Sequence, residues 1–138
     1  MKKLLFVAGS KNDLPHLKEA QKLLKDARVA HKTIVVSAHR DIRALVDELA
    51  PAKLATQGIG VVIAVAHSVA NLPAITAGYL KESDISVIGV GLTTSDTGSL
   101  ESLLSTVSIP RGIPLMNCGI NEVGLHNAAL CAIKILRQ

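Results

Sequence analysis

The chain has 138 residues, enough for one domain with one core and too few for two, so a single domain over residues 1–138 is expected. Hydrophobic residues make up 49% and charged residues 19%, which excludes a disordered polyelectrolyte, and no apolar run reaches the roughly 18 residues needed to cross a bilayer. The formal charge of +4 comes from scattered lysines and arginines, and one Phe, one Tyr and no Trp leave little for bases to stack on, so neither nucleic acid nor a membrane is an expected partner.

The elements follow in chain order. Met1 to Gly9 has the basic start and apolar middle of a signal peptide, but the apolar stretch is short and leads directly into Lys11, Asn12 and Asp13, so Lys3 to Ala8 is read as a first strand. Asp13 stands before Leu14-Pro15 as a capping carboxylate, and Leu17, Ala20, Leu23, Leu24 and Ala27 recur at helical spacing behind it. His31 to Ser37 gives a second strand, and Arg40 to Leu49 a helix with Ile42, Leu45, Val46 and Leu49 on one face. Gly60 to Ala66 is a third strand, followed by a short helix over Asn71 to Gly78. Ser86 to Val90 and Pro114 to Gly119 complete five strands, with helices over Leu100 to Val107 and Asn127 to Leu136. This alternation predicts a parallel sheet with helices on both faces, a flavodoxin-like or Rossmann-like three-layer α/β sandwich. Its core must be built from Leu, Ile, Val and Ala, and so many small residues suit close contacts between helices or between subunits of a homo-oligomer.

Ligands of open parallel sheets bind beyond the carboxyl ends of the strands. The loops there carry the polar residues. Gly9 to Asp13 joins a strand to a helix start, where backbone N–H groups favour an anion; Ser10 and Asp13 there suit either a phosphorylated ligand or simple turn and cap duty. Ser37-Ala38-His39-Arg40 brings together a hydroxyl, an imidazole that titrates near neutrality and a guanidinium that grips phosphate or carboxylate. The third loop offers His67, Ser68 and Asn71, with helix capping as the simplest duty of Asn71. Ser68 lacks the G-x-S-x-G elbow of a serine hydrolase. The five histidines show no HxxxH or HExxH spacing, so no metal site is expected. Cys118 and Cys131 make no disulfide framework and read as inert core thiols suited to a reducing cytoplasm.

Taken in order, GSKND, VVSAHR at Val35 to Arg40, ANLPA at Ala70 to Ala74, SLESLLSTVSIPRGIP from Ser99 to Pro114 and HNAALCAIKIL at the end resemble the N(5)-carboxyaminoimidazole ribonucleotide mutase family over nearly the whole chain. The resemblance implies a flavodoxin-like subunit of a cytoplasmic homo-octamer in purine biosynthesis. It implies a phosphorylated imidazole nucleotide as substrate, an enzyme that moves a carboxylate from exocyclic nitrogen to ring carbon, and no metal or organic cofactor. In the family's terms His39 transfers the proton, Arg40 holds the phosphate, and Ser10 and Asp13 hold the ribose phosphate region. Ser37 supports the same pocket. Asn12, His67, Ser68 and Asn71, from the same loops but at positions where this chain departs from the family, are expected to complete the substrate-binding set. The third loop departs from the family's A-G-G-A-A-H-L-P-G, with His67 and Ser68 in place of two glycines and Asn71 in place of the histidine. Two other readings share the scaffold: a direct aminoimidazole ribonucleotide carboxylase, and a divergent paralogue that binds a phosphorylated nucleotide without this reaction.

Overall fold

The computed structural model describes residues 1–93 and 99–138. Five parallel strands form one sheet in the order β2-β1-β3-β4-β5: β1 Lys3–Ala8, β2 His31–Val35, β3 Ile59–His67, β4 Ser86–Leu92 and β5 Met116–Asn117. Among the described residues six α-helices connect or close them: α1 Lys18–Asp26, α2 Ile42–Glu48, α3 Pro51–Thr56, α4 Asn71–Tyr79, α5 Leu100–Val107 and α6 Asn121–Leu136.

Both faces of the sheet are covered, which is why β1 and β3 are apolar without alternation. On one face Leu4, Phe6, Val61, Ile63 and Val65 pack against Leu17, Ala20 and Leu24 and against Leu125, Ala128, Ala129 and Ala132 of α6. On the other, Leu5, Val7, Val62 and Ala64 pack against Leu45, Leu49, Leu54, Leu72 and Ala77. The expected three-layer α/β sandwich is the fold found.

Several boundaries differ from the sequence reading for local reasons. Asp13 is not the N-cap. That position belongs to Ser10, whose side chain accepts from the Asn12 N–H, while the Asp13 carboxylate reaches back to the Ser10 N–H, closing a capping box. The residues behind it, Lys11–Leu17, form a 3₁₀ helix that contains Pro15, and the α-helix proper starts only at Lys18. The second helix begins at Ile42, not Arg40, because the Asp41 side chain caps it by accepting from the Ala44 N–H at 3.0 Å. The sequence reading missed α3, which Pro51 opens at a first-turn position. The last helix starts at Asn121, six residues before Asn127. β5 shrinks to two residues on the sheet edge, where Asn117 turns its side chain to the Gly119 N–H and to Thr106 instead of extending the ladder.

Candidate active site

β1 lies between β2 and β3, so the connections leaving its carboxyl end and those of its two neighbours diverge around one point of the sheet. A crevice is expected where strand order reverses in this way. An open cleft of about 270 Å³ lies there. The loop after β1 contributes Gly9, Ser10 and Asp13, the loop after β2 contributes Ser37, Ala38, His39 and Arg40, and the end of β3 with the start of α4 contributes Ala66, His67, Val69, Asn71 and Leu72.

Each loop is held by its own hydrogen bonds. The Gly9 N–H donates to the Val65 carbonyl at 3.0 Å, tying the first loop to β3. Ser37 Oγ accepts from the Arg40 N–H at 3.1 Å and its carbonyl from the Asp41 N–H at 3.1 Å, which folds the second loop into a turn and presents His39 and Arg40 at the surface. In the third loop Ser68 adopts a φ of 56°, its N–H donates to the Leu92 carbonyl at 3.0 Å, and its own carbonyl accepts from Ser102 Oγ at 2.8 Å. Ser102 is fully buried, so the loop after β3 is tied to α5.

Two side-chain pairs bridge the loops. His67 Nδ1 is hydrogen-bonded to Asp13 Oδ1, and Asp13 is only 1% exposed. The other carboxylate oxygen accepts from the Ser10 N–H at 3.0 Å, so both oxygens of this buried carboxylate are satisfied. Asn71 Nδ2 donates to His39 Nε2 at 2.8 Å. Asn71 therefore does not cap α4: the N-cap is Ala70, without a side-chain hydrogen bond, and Asn71 is the first helical residue, turned toward the second loop. Behind His67, the His16 ring meets it edge-on at 5.6 Å, and His16 in turn pairs with Glu122 at the start of α6. The hydrogen bond from His16 holds the Glu122 carboxyl below its ordinary value, against a smaller opposing effect of burial.

Of the nine residues singled out in the sequence, Ser10, Asp13, Ser37, His39, Arg40, His67 and Asn71 line one cleft. Asn12 and Ser68 fall outside its lining. Asn12 sits on the exposed side of the first turn with its N–H on Ser10 Oγ, and the left-handed backbone at Ser68 leaves Val69 to face the cleft. The apolar wall of Ala38, Ala66, Val69 and Leu72 was not anticipated as part of the site; these side chains carry no chemical signal, and only the strand order brings them together. The same holds for the pairing of His67 with Asp13, 54 residues apart. Among the described residues no group of three or more His, Cys, Asp or Glu side chains gathers as metal ligands, and no helix is long and apolar enough to cross a membrane.

A family model described as AIR carboxylase matches residues 3–138. The chain is 41% identical over 136 residues to the N5-carboxyaminoimidazole ribonucleotide mutase of Pyrococcus abyssi, an alignment covering 99% of this chain and 74% of the relative. It is 38% identical over 131 residues to the protein of the same name from Vibrio cholerae, covering 95% of this chain and 78% of the relative. A third, from Saccharolobus solfataricus, is 38% identical over 136 residues, covering 99% and 82%.

Proposed function

Since the chain belongs to the AIR carboxylase family, we propose that it is an N5-carboxyaminoimidazole ribonucleotide mutase of purine biosynthesis, an isomerase that moves a carboxylate from the exocyclic nitrogen to the ring carbon of a phosphorylated aminoimidazole nucleotide. The observation that carries this reading is the meeting of His39 and Arg40 with Ser10 and Asp13 in one cleft, in a chain matched from residue 3 to residue 138 by that family. The names of the relatives favour the mutase over a direct carboxylase and over a non-catalytic paralogue.

The reaction asks little of the protein beyond position and a proton. Breaking the bond between nitrogen and the carboxyl carbon leaves its electron pair on nitrogen, which takes up a proton. The ring carbon then bonds to the released carbon dioxide and gives up its own hydrogen as a proton, restoring the aromatic ring. Arg40 holds the phosphate: its guanidinium is exposed at the cleft, and among the described residues no carboxylate pairs with it. Ser10, Asp13 and Ser37 border the ribose, and His39 supplies the proton to nitrogen. Asn71 serves His39 in both protonation states, because its amide can offer either N–H or oxygen to the ring nitrogen. Ala38, Ala66, Val69 and Leu72 give carbon dioxide an apolar wall and limit its loss to water.

The proposal extends to a cytoplasmic homo-octamer. Two free cysteines suit a reducing compartment, and exposed apolar side chains on α4 and α5 suit burial between subunits. The deciding experiment mixes the protein with N5-carboxyaminoimidazole ribonucleotide at low bicarbonate and follows the carbon-carboxylated isomer, with aminoimidazole ribonucleotide plus bicarbonate run alongside. Conversion of the first substrate is expected. Activity only in the second mixture means a direct carboxylase, and no activity in either refutes the enzymatic reading.

A further inference from the structure

We propose that His67, oriented by Asp13, is the base that removes the ring-carbon proton, so that the cleft works with two imidazoles and not one; this inference rests on the mutase reading. Four observations carry it. His67 lines the same cleft as His39, with its side chain 30% exposed. Its Nδ1 is paired with a carboxylate that is 1% exposed and held from the other side by the Ser10 N–H at 3.0 Å, so the pair is fixed from two directions. The backbone around it is pinned by the bonds of Ser68 to Leu92 and Ser102. His39, by contrast, receives an amide N–H from Asn71 on its Nε2 and has no carboxylate partner among the described residues.

The chemistry follows from the tautomer. A carboxylate only accepts, so Nδ1 of His67 must carry the proton in that pair and Nε2 is left with the lone pair. His39 has the opposite arrangement: the Asn71 N–H occupies its Nε2 lone pair. The division of work balances. Imidazolium His39, to which the Asn71 amide turns its oxygen, gives its proton to the exocyclic nitrogen as the nitrogen–carbon bond breaks. Neutral His67 takes the proton that leaves the ring carbon once the carbon–carbon bond has formed, and the C–H electron pair returns to the ring. Passage of one proton from His67 to His39 through water in the open cleft restores the starting state. His67 is thus a catalytic residue, and Asp13 a positioning residue acting through it. The charged and titratable groups around His67 are Asp13 and His16 from the 3₁₀ helix, Glu122 of α6 behind His16, and His39 and Arg40 from the second loop.

The test is a pair of near-isosteric changes. His67→Asn keeps an amide where Nδ1 sits, so it can still bond to Asp13 and hold the loop, but it cannot exchange a proton. We expect kcat to fall about 100-fold, the low end for a lost general base, with KM within about threefold. Asp13→Asn presents an N–H to the ring and reverses the tautomer. Long-range proton–nitrogen NMR should find His67 in the Nδ1–H form in the unaltered protein and the Nε2–H form in the variant, with a similar fall in kcat. The double variant should be no slower than His67→Asn alone, as befits residues acting as a unit. Unaltered kcat in His67→Asn, or an Nε2–H tautomer in the unaltered protein, overturns the role of His67 while leaving the mutase intact. If the unaltered protein converts no substrate, the mutase reading itself fails and this role falls with it.

Discussion

Arg40 and His39 stand side by side yet should fail in different ways when altered. Arg40 is proposed to contribute affinity. Replacing it with Gln removes charge-assisted hydrogen bonds, each worth about 1.5–3 kcal/mol, so KM should rise about 10- to 100-fold while kcat changes little. Steady-state kinetics check this, and a fall in kcat at constant KM would contradict the assignment. His39→Asn should do the reverse, abolishing turnover while nucleotide affinity stays within a few fold; calorimetric titration beside the assay separates the two, and unaltered turnover refutes the role of His39. Cys118 carries a third residue-level expectation. Its thiol is pushed up to about 11, first by burial and then by the neighbouring Cys131, whose sulfur lies 3.4 Å away. A raised value stabilises the fold at all pH below the ordinary 9.0, and that contribution is lost as pH rises through about 11, because the unfolded thiol ionises first. The same shift leaves little thiolate at pH 8, so alkylation followed by mass spectrometry should label Cys118 far more slowly in the folded protein than in urea. Equal rates would contradict it.

At the scale of the elements, steric contact and intrinsic propensity can be set against each other at Gly124. Alanine is the better helix former by about 1 kcal/mol, so propensity alone predicts that Gly124→Ala stabilises α6. A Cβ there would lie 2.3 Å from the Gly119 carbonyl oxygen and 2.4 Å from its carbon, and both sides of that contact are backbone that cannot swing away. Overpacking of this kind costs about 1–3 kcal/mol, so the clash should win and the urea midpoint should fall; a raised midpoint would show that α6 can shift at no penalty. Gly124 also belongs to the stretch of α6 that sequence reading missed. What was legible in the sequence were elements whose signal is internal: β3, a long apolar run, and α5, expected and found over Leu100–Val107. What was not legible depends on partners far along the chain. Asp13 and Asn71 both read as caps because helix starts favour such residues, yet each bonds a histidine from another loop. The cleft was foreseeable as three loops at strand ends; which of their side chains meet was not, because the pairings span 54 and 32 residues.

For the whole molecule, α5 is inverted relative to the usual surface helix. Its Ser102 and Thr106 are buried, while Leu100, Leu103, Leu104 and Val107 are exposed. The buried pair satisfy themselves on carbonyls, Ser102 Oγ sharing its proton between Ser68 at 2.8 Å and Leu92 at 3.0 Å and Thr106 Oγ1 donating to Leu103 at 2.9 Å, so turning polar atoms inward leaves none orphaned at these two positions. Leu100, Leu104 and Val107 fall at helical spacing on one outward stripe, and α4, which packs beside α5, exposes Ile75 and Tyr79 one turn apart. An outward apolar stripe on two adjacent helices is what a subunit interface requires and what an isolated monomer avoids. The proposed octamer would bury it, and a charge placed in its middle should then oppose assembly. Leu104→Glu would have to desolvate a carboxylate without a partner at each copy of the contact, a penalty of several kcal/mol that recurs with symmetry. Sedimentation velocity should show the unaltered chain as a large assembly and Leu104→Glu as smaller species with unchanged far-UV circular dichroism. An unaltered chain that sediments as a monomer would refute the interface outright, and an octamer that survives the added charge would move it away from α5.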